Sequence, residues 1–220
     1  MRLSPLLRTS LTLAALGALS AADAGAQKRT FQDSWFWGVK GGGMLYSTRR
    51  VENAVAPSVG AEWLITRTRA AVSITASQYF FDDVSAIDDP GNPAVGRTVN
   101  ISNMRNVGAS VLAFPRTFGF LRPYAGAGLT FNLISNATAT GAFTSPEQRD
   151  SVRIRLQEAR TGVIPLLTAG AMTQVRGMNV FVQGGFSPAK TTFLFNRNNT
   201  YFIEGGLRYN VGSAIERPDR

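Results

Sequence analysis

The stretch Thr200 to Val211 reads TYFIEGGLRYNV and has the alternation of a β-strand. Successive strand side chains point to opposite faces, so the odd-numbered and even-numbered positions separate. The odd face is apolar and begins at Tyr201. The even face is mostly polar and carries both Glu204 and Arg208. A soluble sheet buries the apolar face, whereas a membrane barrel turns it to lipid and encloses the polar one.

The N-terminus predicts an exported protein. Arg2 and Arg8 give a positive start, Leu11 to Ala22 is a short apolar run, and Ala24-Gly25-Ala26 is a small-x-small cleavage motif. These three parts are typical of a secretory signal peptide. We therefore expect residues 1–26 to be removed and residues 27–220 to form one domain, with an N-terminal buried helix as the alternative.

Eight segments alternate in this way, and the connections between them alternate in length. Those after the first, third, fifth and seventh strands are long, and the others are tight, as in outer-membrane barrels. A capping box at Ser145 to Gln148 predicts a helix within residues 145–160, although the alternation of Val152, Ile154 and Leu156 leaves a strand extension open. The predicted strands are Ser34–Tyr46, Pro57–Thr66, Ala70–Phe81, Thr98–Phe114, Leu121–Leu133, Thr161–Val175, Val180–Phe186 and Thr200–Val211.

Aromatic residues concentrate near both ends of the predicted strands, as the two interfaces of a bilayer select. Packing in a soluble core is the alternative. The predicted fold is an all-β, eight-stranded antiparallel up-and-down transmembrane β-barrel with a polar interior. The two groups are Trp35, Trp37, Trp63, Phe114, Phe118, Phe120 and Tyr209 near the tight turns, and Tyr79, Phe80, Phe131, Phe186, Phe193 and Tyr201 near the long loops.

Two short motifs carry a family resemblance. Arg122 to Leu129 reads RPYAGAGL, and Gly205 to Tyr209 reads GGLRY. Both resemble strands of the small eight-stranded outer-membrane barrel superfamily, of the OmpA, OmpX and OmpW type. The resemblance implies a bacterial outer membrane, outer-membrane lipids as partners, and the barrel-insertion machinery during assembly. Such chains often end at an aromatic residue, whereas eleven residues follow Tyr209 here.

The amino-acid composition limits the catalytic mechanisms and metal sites that the chain can form. The chain has no histidine and no cysteine, which excludes Ser–His and Asp–His catalysis and metal sites built on those residues. We expect no enzyme activity, cofactor or metal. An all-carboxylate calcium site in Asp82, Asp83, Asp88 and Asp89 is less favoured than an acidic turn.

The net charge is +9, but export and the lack of a dense basic run argue against nucleic acid as a partner. Anionic lipid phosphates suit arginine better, because guanidinium binds them bidentately. Hydrated loops with no fixed partner are the alternative. The basic residues expected to contact lipopolysaccharide are Arg49, Arg50, Arg97, Arg149, Arg153, Arg155, Arg160, Lys190 and Arg197.

Inward-facing charges predict a network inside the barrel. Counting from the strand ends places Lys40, Glu62 and Glu204 at similar depth on adjacent strands, with Lys40 between the two carboxylates. Arg208 and Arg122 are expected to balance the second carboxylate. The network either fixes the register of the seam or acts as a gate.

Three function classes remain, since a fold does not fix a function. The first is a monomeric structural or interaction barrel that stabilises the membrane and presents its loops. The second is a narrow channel for small or apolar solutes, as the OmpW likeness implies, and the third is a lipid-directed enzyme without histidine. Eight strands enclose only enough space for side chains, which favours the first. The channel is kept open by seven inward glycines: Gly38, Gly42, Gly60, Gly126, Gly128, Gly170 and Gly206.

Overall fold

The computed structural model describes residues 31–89, 91, 96–175, 178–195 and 198–213. The predicted signal peptide lies outside these residues. The described residues form eight strands and one helix, and every strand is antiparallel to its two neighbours in a closed barrel. The predicted fold class, an eight-stranded up-and-down barrel, is confirmed. The elements are β1 Ser34–Tyr46, β2 Ala54–Thr66, β3 Ala70–Ile87, β4 Arg97–Ala113, β5 Leu121–Ala139, α1 Pro146–Ala159, β6 Thr161–Val175, β7 Met178–Ser187 and β8 Thr200–Ser213.

We call the end of the barrel with the tight connections the turn end, and the opposite end the loop end. At the loop end β3, β4 and β5 run further than the alternation predicted. Asp83 pairs with Ile101 and Val99 pairs with Ala139, beyond the predicted ends of β3 and β5. The aspartates expected in a turn, Asp82 and Asp83, are therefore part of β3. Cross-strand pairing satisfies their backbone groups and outweighs the turn preference of their side chains.

An irregularity in β4 exchanges its two faces. Asn103 has φ 57°, and the pairing of β3 with β4 shifts register between Tyr79 and Asp82. On the turn-end side of Asn103 the even-numbered positions such as Met104 are buried. On its loop-end side the odd-numbered positions Val99 and Ile101 are buried instead. A bulge of this kind re-aims the side chains that follow it.

Helix α1 forms where the capping box predicted it, so the helix is confirmed and the strand extension is wrong. The Ser145 side chain accepts a hydrogen bond from the Gln148 backbone N–H at 3.2 Å. Pro146 occupies the first turn, where its missing N–H costs nothing. Val152 and Leu156 are buried, while Ile154 is exposed. The spacing of four between the buried pair is the helical repeat.

The outward face of the strands carries a continuous series of exposed apolar side chains. No described helix combines the length and the apolar character needed to cross a membrane. Three aromatics assigned to the girdles are instead buried, because Tyr79 and Phe114 follow the inward positions of their strands and Phe193 lies in a loop that folds into the barrel mouth. The exposed series includes Trp37, Val39, Val59, Val72, Val107, Val111, Leu129, Val163, Leu167, Val182, Ile203 and Leu207.

The enclosed face is not uniformly polar, since two apolar clusters lie at its ends. The turn-end cluster comprises Phe36, Leu64, Ala71, Leu112, Phe114, Tyr124, Met172 and Phe181. The loop-end cluster comprises Met44, Tyr46, Ala56, Tyr79, Ile87, Val99, Ile101, Met104, Ile134, Val152, Leu156, Ile164, Phe193, Leu194 and Phe195. Charged side chains occupy the space between them.

Candidate functional site

The first charged pair in the barrel interior joins β1 to β8. Lys40 Nζ donates to Glu204 Oε2 at 2.8 Å, and Gln183 Nε2 donates to the same oxygen at 3.0 Å. Both charged side chains are almost fully buried. Burial of a charge is costly unless it is paired and hydrogen-bonded, and this arrangement meets both conditions for the carboxylate.

The second pair joins β2 to β8 across β1. Arg208 Nε and Nη2 contact both oxygens of Glu62 at 2.9–3.1 Å, which is the bidentate geometry of guanidinium with carboxylate. Ser73 Oγ donates to Glu62 Oε1 at 2.8 Å. The guanidinium also lies 3.7 Å from the Phe181 ring centroid, a cation–π contact. Arg208 is fully buried.

A glycine makes the second pair possible. Gly38 on β1 lies opposite Glu62 on one side and opposite Arg208 on the other. A Cβ at Gly38 would lie 3.0 Å from Arg208 Cγ and 2.8 Å from the backbone oxygen of Leu207. Only a residue without a side chain lets the guanidinium pass over β1 to the carboxylate.

The structure brings together four of the five side chains assigned to the interior network. They form two separate pairs rather than one chain with Lys40 between both carboxylates, because Arg208 takes Glu62. The placement of Arg122 in this network is wrong. Its guanidinium instead stacks on Phe31 at the turn end, 3.7 Å from the ring centroid.

Both ends of the lumen are filled by apolar side chains, and a cavity of about 50 Å³ remains between them. Lys40, Glu204 and Tyr79 line it. This volume is that of a few buried waters rather than of a solute path. The inward glycines do not enlarge it, because a Cβ at Gly206 would collide with the Val39 backbone oxygen and lie 2.8 Å from the Phe181 ring. They permit close packing instead.

A further charged cluster at the loop end was missed by the sequence. Arg97 Nε donates to Asp89 Oδ2 at 2.8 Å, and its Nη1 donates to the backbone oxygen of Thr140 at 2.9 Å. Gln148 Nε2 of α1 donates to Asp89 Oδ1, also at 2.9 Å. The guanidinium carbon lies 4.1 Å from the Phe143 ring centroid. We call Asp89, Arg97 and Gln148 the loop clamp, because they join three chain segments.

Hydrogen bonds to Asp89 set the acidity of its carboxyl group in the loop clamp. Those from Gln148 and from the backbone N–H of Gly91, followed by the ion pair with Arg97, hold the pKa of Asp89 below its ordinary value of 3.8. The neighbouring Asp88 is exposed and has its pKa lowered by Arg49, which donates to it at 2.7 Å. Asp83 instead accepts from Tyr46. Three of the four aspartates considered for calcium, Asp83, Asp88 and Asp89, thus have separate partners, and among the described residues no group of three or more potential metal ligands converges.

The basic residues assigned to lipopolysaccharide differ in availability. Arg97 does not fit that role, because its guanidinium is buried and bonded within the loop clamp. Arg49 pairs with Asp88, Arg153 with Asp150 at 3.5 Å, and Lys190 Nζ donates to the Val163 backbone oxygen at 3.2 Å. Arg197 lies outside the described residues. On the loop surface Arg50, Arg149 and Arg155 are exposed, and Arg160 is half-buried.

Sequence reasoning missed one basic residue on the outward face. Arg105 of β4 is exposed and pairs in register with Gln78 and Leu133. It follows the outward parity of Val107 and Val111, and is the middle residue of β4. The sequence pattern could have revealed Arg105, since a charge on an otherwise apolar strand face is unusual. A long arginine side chain on that face can extend to a polar interface.

Comparison with known proteins agrees with this geometry at the level of fold. No protein-family model matches the chain, and no curated protein does. Among solved structures, Neisserial surface protein A (NspA) is 11% identical, with a TM-score of 0.52, over 80% of this chain and 96% of that one. Ail of Yersinia pestis is also 11% identical, with a TM-score of 0.41, over 80% of this chain and 97% of that one. With its closed eight-stranded sheet and its likeness to NspA, this chain has the fold of the small eight-stranded outer-membrane barrels.

Proposed function

We propose that the protein is an integral barrel of the bacterial outer membrane, with a closed lumen and a structural or interaction role exercised through its loop end. The observation that carries the proposal is the pairing of an exposed apolar outer face with a lumen closed at both ends. Contiguous apolar surface of this extent needs a nonpolar solvent. In this proposal the barrel has no catalytic activity.

The height of the apolar face supports a membrane location. Outward positions of β1 run from Trp35 to Leu45, ten residues apart. At about 3.3 Å per residue and a tilt of about 40°, they span roughly 25 Å, the height of the apolar band of such barrels. Trp63 packs edge-on against Trp35 and stacks on Trp37, with ring centroids 5.2 and 5.7 Å apart, near the turn-end boundary. Tryptophan is typical of that interface.

The closed lumen favours a structural barrel over a channel. Passage would require the ring of Phe193 to leave the loop end and the rings of Phe36 and Phe181 to leave the turn end. These side chains are buried in separate clusters with the ion pairs between them. Two independent obstructions make a constitutive pore unfavourable.

Exposed loop arginines give the proposed partner, lipopolysaccharide. Arg149, Arg153 and Arg155 lie on exposed positions of α1, and Arg105 lies on the outward face of β4. The guanidinium of each can donate to two oxygens of one phosphate group. An exposed carboxylate of the protein satisfies such a guanidinium less completely.

Flotation with phospholipid vesicles tests the membrane proposal. The refolded chain from residue 27 should float with the vesicles and show heat-modifiable migration on gels. A protein that stays folded and monomeric in buffer without detergent would contradict it, because the apolar face would then be tolerated by water.

Planar-bilayer conductance separates the closed barrel from the channel. The wild-type protein should give no steady openings. Steady, ion-selective openings would overturn closure while leaving the membrane location intact.

Replacement of grouped arginines tests the partner. The variant Arg149→Gln/Arg153→Gln/Arg155→Gln should retain less lipopolysaccharide during purification than the wild type. The control Arg67→Gln/Arg69→Gln removes two charges from the turn end and should retain the wild-type amount. Equal retention in all three proteins would exclude these loop arginines as the contact.

A further inference from the structure

A second pocket lies at the turn end, away from the loop surface that the proposed function uses. Its volume is about 200 Å³. The β4–β5 connection and strands β5, β6 and β7 form its wall, together with Phe31. The lining residues are Phe31, Thr117, Gly119, Phe120, Arg122, Met172, Thr173, Gln174 and Asn179. There is no carboxylate among them, so the lining is net positive.

Arg122 is the charged group of this pocket. One face of its guanidinium is covered by the Phe31 ring at 3.7 Å. It makes no hydrogen bond or ion pair with the rest of the described chain. Its N–H donors thus remain along the edge of the plane, and partial burial removes water that would otherwise solvate them. A half-buried guanidinium in this condition favours an anion with two acceptor oxygens.

Asn179 is a second, independent observation. The residue is only 4% exposed, and it lines the same pocket. No described residue provides its amide with a hydrogen-bond partner. Buried polar groups are normally bonded, so an unused amide aimed into a pocket beside an unused guanidinium indicates a missing polar ligand.

The edge of the pocket is apolar. Phe120 lines it and is 81% exposed, and Phe118 in the same connection is 60% exposed. The outward apolar face of the barrel ends next to it at Leu121 and Val175. Anion-binding donors thus adjoin hydrocarbon surface. The volume is below the ~300 Å³ of sites that enclose a drug-sized ligand, so it fits a headgroup whose tails lie outside.

We propose that this turn-end pocket binds the phosphate of a phospholipid, with Arg122 and Asn179 as donors and the acyl chains against Phe120 and the adjoining outer face. The inference rests on the proposed membrane location. It assigns a lipid site at the end of the barrel opposite the lipopolysaccharide contacts. The phosphate is held by charge-assisted hydrogen bonds and no covalent step is involved.

Native mass spectrometry of the barrel purified in detergent and titrated with phosphatidylglycerol tests the site. Wild type should bind one lipid, and Arg122→Gln should weaken binding about tenfold or more. Arg122→Lys keeps the charge but not the planar fork, so it should fall between them. The matched control Arg116→Gln removes an exposed arginine from the same connection, outside the pocket, and should bind as wild type does.

Two further ligands identify the group that is recognised. Diacylglycerol, which lacks the phosphate, should not bind at this site, and inorganic phosphate at equal concentration should not displace the lipid. Equal binding by wild type and Arg122→Gln, or by diacylglycerol, would overturn the proposal. Displacement by inorganic phosphate would also overturn it, because the site would then take a free anion.

Separate control measurements report on folding and on membrane insertion. Each variant should keep heat-modifiable migration. If Arg122→Gln does not fold, Asn179→Leu removes the amide without changing charge and should weaken binding several-fold, whereas unchanged binding would overturn the proposal. A wild-type protein that fails to float with vesicles contradicts the proposed membrane function. One that floats but binds lipid independently of Arg122 contradicts only this inference.

Discussion

The molecule contains two buried charge clusters that differ in how they are held. The mid-barrel pairs, Lys40–Glu204 and Glu62–Arg208, lie on strands whose positions are fixed by hydrogen-bonded register. The loop clamp of Asp89, Arg97 and Gln148 joins the loop-end extremities of β3 and β4, which pair at Ile87 and Arg97, to helix α1, which no sheet register positions. In the first cluster the backbone positions the charges. In the second cluster the charged side chains hold α1 and the backbone near Thr140 in place.

This difference predicts which part of the molecule loses stability when one partner is removed. Loss of a mid-barrel partner leaves a charge buried between fixed strands and so weakens the whole barrel. Loss of a clamp residue should free the loops while the strands stay paired. The following variants compare the two clusters, from the largest expected effect to the smallest.

Glu62→Ala should lower the free energy of unfolding by about 3–5 kcal/mol, because it leaves the fully buried Arg208 guanidinium without its carboxylate. Denaturant titration in lipid vesicles measures this. The double variant Glu62→Gln/Arg208→Met should lose less, since no unpaired charge remains. A single variant as stable as wild type would show that the pair contributes nothing to the fold.

Arg97→Ala should destabilise the loop end by about 2–3 kcal/mol, since Asp89 loses its ion pair and the Thr140 carbonyl loses a donor. Amide hydrogen exchange should accelerate in α1 and around residue 140, and not in the turn-end halves of the strands. Arg149→Ala on the exposed face of α1 is the control and should leave exchange unchanged. Faster exchange throughout the barrel would mean that the clamp is part of its core.

Acid should weaken the loop clamp by less than Arg97→Ala does, because a protonated carboxyl keeps its volume and an acceptor oxygen. The pKa of Asp89 lies below its ordinary value of 3.8, so its contribution is present above that value and is lost as pH falls through the lower, folded-state value. Protection factors in α1, taken relative to intrinsic exchange at each pH, should therefore be high at pH 5 and fall below about pH 3.8. Asp89→Asn should remove this dependence, and a wild type that stays protected at the lowest pH would contradict the assignment.

Ser145→Ala should cost about 1 kcal/mol of helix stability, because the Gln148 N–H loses its capping acceptor. Exchange at the first turn of α1 reports it. Ser151→Ala, a substitution inside the helix, is the control and should not destabilise, since alanine is the better helix former. Equal effects of the two would exclude capping as the cause.

Arg49→Ala should change stability by less than about 1 kcal/mol, since its pair with Asp88 is exposed and screened. Denaturant titration beside Glu62→Ala gives the contrast directly. A loss approaching that of Glu62→Ala would show that burial does not distinguish the two kinds of ion pair.

Sequence periodicity alone predicted the eight strands and the alternation of long and tight connections, while the capping box at Ser145 predicted the helix and left a strand extension open. It also placed Lys40, Glu62, Glu204 and Arg208 on inward positions. These follow from local rules, because the direction of a strand side chain depends on parity and a helix cap depends on residues three apart.

Only the tertiary structure decided which charges meet. Arg208 takes Glu62 rather than leaving it to Lys40, because Gly38 opens a path across β1. The bulge at Asn103 turns Ile101 inward. Each outcome depends on register or on a local break in parity, which a single period of two does not encode.

The two ends of the barrel show the same limit. Arg97 is buried in the clamp, and Arg122 stacks on Phe31 instead of joining the interior pairs. Phe193 fills the barrel mouth rather than a girdle. Their partners lie on other loops or strands, and only closure of the barrel brings those segments together. Apart from the break at Asn103, sequence thus determined which face a strand residue occupies, while the fold determined its partner, because pairing across a closed barrel is a non-local property of the chain.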